Sequence, residues 1–194
     1  MNVSPIKAGI LGLLAIGFVA VVYVFMASTQ STSTNSLDSY ARGEMRGFQV
    51  LADAPAQPAT TFATGDGDET SLADYRGQII LVNFWATWCA PCVEEMPALN
   101  ALQEDLGGED FQVVTVSLDR RIDEAREFFE RLELDALPLI HDGSFTSMTQ
   151  VGAIGLPMTV LYDRNGREIG RLPAPAEWHS PEAIALIEAA IRFY

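Results

Sequence analysis

Cys89 and Cys92 are the only cysteines in the chain, three positions apart in Trp88-Cys89-Ala90-Pro91-Cys92. Two thiols one helical turn apart can close a small-ring disulfide and open it again. The thiolate is the nucleophile in such exchange, so the cysteine better stabilised as an anion attacks first. Two other uses compete. A structural zinc site needs further ligands, and the only histidines, His141 and His179, are far away in sequence. A permanent structural disulfide is a weak staple here, because so short a loop restrains little chain entropy.

The elements around the pair decide which cysteine does what. Gln78 to Ala86 (QIILVNFWA) is a near-continuous apolar run of strand length, as a central buried strand requires. A helix is expected from Ala90 to Leu106, stopped by Gly107-Gly108. Cys89 then lies at the mouth of that helix, where free N–H groups and the positive end of the dipole favour its thiolate. Cys92 points further into the structure and is expected to resolve the mixed disulfide. Pro91 falls in the first turn, where a missing N–H costs little.

The remaining pattern alternates strands and helices. Phe62–Ala63 and Thr70–Ser71 flank a Gly65-Asp66-Gly67-Asp68 turn. Phe111–Leu118 reads as a strand and Asp123–Leu132 as an amphipathic helix, with Phe128 and Phe129 on its apolar side. Leu137–Ile140 reads as a short strand and Ser144–Val151 as a short helix. Met158–Tyr162 and Glu168–Leu172 form a hairpin, and Ser180 caps a last helix beginning at Pro181. The class is α/β, a sandwich with a mixed sheet.

ILVNFWATWCAPC resembles the active-site strand, turn and helix of the thioredoxin superfamily. With SLADYRGQ before it, then VEEMPAL, Gly155-Leu156-Pro157 and VLYDRNGREIG, residues 60–194 are most similar to the membrane-tethered TlpA/ResA/CcmG type. The segment Pro175 to Trp178 (PAEW) looks like the TlpA subgroup. The resemblance implies a thioredoxin-like fold: a central mixed sheet flanked by helices, with an amino-terminal extension. Arg120–Leu137 is read as the group's extra helical insertion. It implies a protein-disulfide reductase whose redox centre is the Cys89–Cys92 disulfide, with no other cofactor and no metal.

Further roles carry over by position. Pro157 matches the family's cis-proline, which would let the backbone at Leu156 pair with an extended substrate. Glu95 matches its buried helix glutamate, a proton shuttle for Cys92. Glu94 reads instead as a surface acid. Trp88 is expected to face partners, and Trp85 to pack in the core. Trp178 fits a subgroup surface or the core equally well. Two departures stand out. Asn83 occupies the strand position where thioredoxins carry a buried Asp, and Asn accepts no proton. Met158, in place of the common Thr, follows Pro157.

Direction of electron flow follows from charge. Strong oxidants stabilise their reduced form through the thiolate. Ala90 and Pro91 carry no charge and Glu94 and Glu95 lie close by, so the Cys89 thiolate is expected to gain only modest stabilisation. A reductant is therefore expected, and a CxxC pair suits disulfide exchange better than peroxidase chemistry. The family resemblance implies clients among envelope proteins with cysteine pairs, in cytochrome c or cytochrome oxidase copper-centre biogenesis. It also implies a membrane electron donor. The competing class is a tethered metallochaperone or docking module without redox turnover.

The 194-residue chain carries 12 Lys+Arg against 26 Asp+Glu, a formal net charge of -14. So acidic a protein is a poor binder of nucleic acid or anionic lipid through charge. Residues 8–27 are uncharged and apolar, and as a helix would span roughly 30 Å, the thickness of a bilayer core. They are expected to form a single transmembrane anchor, with residues 1–7, including Lys7, inside. Residues 28–60, opening with a Ser/Thr-rich tract, are read as a flexible linker and 61–194 as the domain. The expected location is the inner membrane, with the carboxyl-terminal domain in the periplasm.

Overall fold

The computed structural model describes residues 37–53 and 55–194. The expected anchor and the first part of the expected linker lie outside the described residues. Among the described residues no helix is long and apolar enough to cross a membrane.

Among the described residues eight strands follow in chain order: β1 (Gln49–Val50), β2 (Thr61–Thr64), β3 (Glu69–Ser71), β4 (Ile79–Trp85), β5 (Phe111–Ser117), β6 (Leu139–His141), β7 (Met158–Tyr162) and β8 (Glu168–Leu172). The described residues also form four α-helices: α1 (Ala90–Leu106), α2 (Ile122–Leu132), α3 (Thr146–Gln150) and α4 (Pro181–Phe193). The strands form one sheet in the order β1-β8-β7-β4-β5-β6-β2-β3. The β4–β5 and β5–β6 pairs are parallel and β4–β7 is antiparallel, so the sheet is mixed as expected.

β4 lies at the centre and is buried along its whole length. Its period-two side chains supply both cores. Ile79, Leu81 and Trp85 join one apolar cluster with Met96 and Leu99 of α1, Phe128 of α2 and Leu186 of α4. Ile80, Val82 and Phe84 join the other, with Val114, Val116, Val160 and Tyr162. Parallel strands need a crossover. α1 makes it between β4 and β5, and α2, inside the stretch read as an insertion, makes it between β5 and β6. Trp85 meets the Phe128 and Phe129 rings at centroid distances of 5.0 and 5.7 Å. Such pairs add about 0.5–1.5 kcal/mol each beyond burial, so α2 braces the end of β4 that carries the cysteines.

One boundary read from the sequence is corrected. Residues 37–50 were expected to be linker, yet Leu37, Met45 and Phe48 are buried in the first cluster. β1 pairs antiparallel with β8, Val50 opposite Gly170. A Cβ at Gly170 would lie 2.3 Å from Phe48 Cε1, so this extension docks only because that strand position has no side chain. Two 3-10 turns, Leu37–Ser39 and Gly43–Met45, and a two-residue strand build it. Elements that short leave no hydrophobic period to read.

Candidate functional site: a dithiol between an apolar groove and a buried carboxylate

β4 ends at Trp85, and four residues later the chain reaches Cys89, the N-cap of α1. Cys89 accepts a hydrogen bond at its carbonyl from Val93 N at 3.0 Å, the first of the helix. Pro91 sits in the first turn, and the solvent-facing Pro97 further along is tolerated inside the helix. The pair is oxidised, with Sγ–Sγ 2.05 Å and Cα–Cα 5.3 Å. Cys89 retains 7% exposure and Cys92 none, so only the first sulfur is open to attack.

The turn carrying Cys89 is pinned from the neighbouring strand. Asp119, fully buried just beyond β5, accepts from Thr87 N at 3.1 Å and from Thr87 Oγ1 at 2.7 Å. It also accepts from Ser117 Oγ at 2.9 Å, and its backbone oxygen lies 2.7 Å from His141 Nε2. No sequence reading singled out Asp119. Its partner Thr87 lies 32 positions away, and no local pattern records such a contact.

On one side of Cys89 lies a groove of about 440 Å³, lined by Trp88, Pro91, Phe145, Met148, Ile154 and Leu156 among others. Trp88 is 64% exposed, as expected of a partner-facing ring, and Ile154 is wholly exposed. The Leu156–Pro157 bond is cis, as the resemblance implied. Leu156 lines the groove while Pro157 is buried behind it. Met158 is buried opposite Phe84 of β4, so this departure faces the core rather than the groove.

Beyond Cys92 the surroundings are polar and buried. Glu95, one turn along α1 on the same face, is 3% exposed. Its Oε1 accepts from Asn83 Nδ2 at 2.8 Å, and its Oε2 accepts from Ala176 N and Trp178 Nε1, both at 3.1 Å. Asn83 Nδ2 also donates to Thr159 Oγ1 at 3.0 Å. Burial pushes the Glu95 carboxyl up to about 7, against these donors, which favour its ionised form. Asn83 thus serves the glutamate rather than replacing an acid. Trp178 packs in the core, which resolves the two readings of it, while Glu94 is exposed as expected. Among the described residues, no group of three or more His, Cys, Asp or Glu side chains could hold a metal ion.

A strand, a turn and a helix that present one open and one sealed sulfur beside a cis-proline define a thiol–disulfide exchange site on a thioredoxin-like fold. The chain belongs to the AhpC/TSA family, whose profile matches residues 50–167. It is 34% identical over 121 residues to the thiol-disulfide oxidoreductase ResA of Geobacillus thermodenitrificans, covering 61% of this chain and 69% of that protein. It is 31% identical over 138 residues to the thioredoxin-like protein YneN of Bacillus subtilis, covering 70% and 77%. Among solved structures, a thiol:disulfide interchange protein DsbE from Chlorobium tepidum superposes with a TM-score of 0.66 at 26% identity. That match covers 73% of this chain and 99% of the other. The protein is a thiol-disulfide oxidoreductase of the TlpA/ResA/CcmG type, with a cysteine pair as its redox centre.

Proposed function

We propose that the protein is a membrane-anchored, periplasm-facing reductase of cysteine pairs in envelope proteins, serving cytochrome c or cytochrome oxidase copper-centre biogenesis. The observation that carries the reductase reading is the division of the pair: Cys89 opens on a groove, and Cys92 is fully buried, one turn of α1 before a carboxyl that burial pushes up to about 7. The apolar segment 8–27 supports the anchor, and the resemblance supports the client class.

In the reducing direction the Cys89 thiolate attacks one sulfur of a client disulfide. A Cys89–client bond forms, the client S–S bond breaks, and the freed client thiolate takes a proton from water. Glu95, ionised, removes the proton from the Cys92 thiol. The Cys92 thiolate attacks Cys89 Sγ, closing the internal disulfide and releasing the second client thiolate, which is protonated in turn. Two electrons pass to the client, and a membrane dithiol donor restores the pair. A carboxyl that titrates near 7 can both accept and return a proton at neutral pH, which general acid–base catalysis favours.

Cys92→Ser tests the reading. With the resolving sulfur gone, Cys89 should remain joined to periplasmic clients as mixed disulfides. Recovery of envelope proteins with cysteine pairs is the expected result. Absence of any trapped client, with Cys89 reactive toward a small disulfide, would overturn the reductase reading. Release of the full-length protein by alkaline carbonate would overturn the anchor.

A further inference from the structure

Two tryptophans are wholly buried in the same cluster, and they differ in one respect. Trp85 Nε1 has no hydrogen-bond partner among the described residues. The core therefore holds an indole without requiring its N–H to be bonded. Trp178 Nε1 donates to Glu95 Oε2 at 3.1 Å, and Ala176 N, two residues earlier, donates to the same oxygen. The stretch joining β8 to α4 thus places two donors on one oxygen of the acid next to the resolving cysteine.

We propose that Trp178 is a positioning residue: its indole N–H holds Glu95 in place and tunes how readily that carboxyl takes the Cys92 proton. The proposal rests on the reading of Glu95 as the proton acceptor. An N–H donor binds the carboxylate more strongly than the acid, so it offsets part of the burial that favours the protonated form. The other groups facing Glu95 do not supply that offset beyond Asn83 and Ala176. Thr159, reached through Asn83, is neutral, and Cys92 lies on the same helix. A cleft of about 270 Å³ reaches Glu95 and is lined by Glu44, Glu94 and Glu177, with no cation among its walls. These acids disfavour a further negative charge.

Trp178→Phe keeps an aromatic ring and deletes the donor. The test follows oxidation of the reduced full-length protein in detergent by oxidised glutathione from pH 5 to pH 9. Beside the inflection from ionisation of Cys89, which Glu95→Gln keeps, wild type is expected to show one that Glu95→Gln removes. Trp178→Phe should move it upward by about one pH unit, from the loss of one charge-assisted hydrogen bond. Trp178→Phe added to Glu95→Gln should change nothing further in the profile. In wild-type protein the Trp178 Nε1–H resonance should titrate with the same midpoint as Glu95. If the inflection that Glu95→Gln removes is unmoved by Trp178→Phe, the proposal is overturned. A pH-independent indole resonance would do the same, and it decides alone if the variant folds poorly. If Glu95→Gln leaves the wild-type profile unchanged, the relay itself fails, whereas the indole titration still reports whether Trp178 senses the carboxyl.

Discussion

The two sides of the α1 amino terminus contrast sharply. On one, Trp88, Phe145 and Ile154 stand in solvent around a groove beside Cys89. On the other, Cys92 and Glu95 are buried, and Asn83, Ala176 and Trp178 donate to the Glu95 carboxyl. Three residues of sequence thus span an open apolar site and a buried polar one. The difference teaches that attack and resolution are separated by burial rather than by cysteine chemistry. In the proposed reaction a client sulfur meets Cys89 alone, because Cys92 has no exposed surface.

Breaking the contrast at the sulfurs should have the largest effect. Cys89→Ser is expected to abolish disulfide reductase turnover, by at least roughly 1000-fold, as removal of a nucleophile does. Cys92→Ser should leave the first attack intact, so single-turnover attack on a small disulfide separates the two variants. Equal loss of that first step in both would erase the division of labour.

Glu95→Gln sharpens the buried side. Steady-state reduction near pH 7 should slow by about 100-fold, the lower range for a positioned proton acceptor. Stability should respond as well. Burial pushes the Glu95 carboxyl from its ordinary 4.5 up to about 7 in the folded protein. The folded state therefore binds more protons between those pH values, and its stability falls as pH rises from about 4.5 to about 7. The loss should approach roughly 3 kcal/mol by pH 8 and be absent in Glu95→Gln. Urea denaturation of both proteins at pH 4 and pH 8 measures it.

The clamp beneath both sides should matter less for chemistry and much for stability. Asp119→Ala leaves the Ser117 hydroxyl buried and unpaired and removes the acceptor of the half-buried Thr87 donors, at a cost of about 1–3 kcal/mol. Thr87→Ser, which retains the hydroxyl, should recover most of that stability relative to Thr87→Val in thermal melts. On the open side, Ile154→Ser should raise KM for a protein client a few-fold with kcat unchanged. Stability should stay within about 0.5 kcal/mol, because the side chain is wholly exposed.

Much of this arrangement was legible in the sequence because it is local. The apolar run 78–86, Pro91 in a first turn and Gly107 after the last fix β4 and α1, and the observed helix spans the expected Ala90–Leu106. Glu95 and Pro157 were reached by resemblance, since neither burial nor a cis bond has a spacing of its own. What escaped is contact between distant residues. Trp178 and Ala176 meet Glu95 across 83 and 81 positions, and Asp119 meets Thr87 across 32. The docked extension around Leu37, Met45 and Phe48 escaped for a different reason: short 3-10 turns carry no period.

The central claim, that an uncharged, acid-flanked CxxC pair runs as a reductant, is tested most directly by its equilibrium potential against a glutathione series. The account predicts a value far below that of a strong oxidant, toward the roughly -270 mV of thioredoxin. A value near -120 mV, where a strongly stabilised thiolate places a disulfide oxidant, would contradict it.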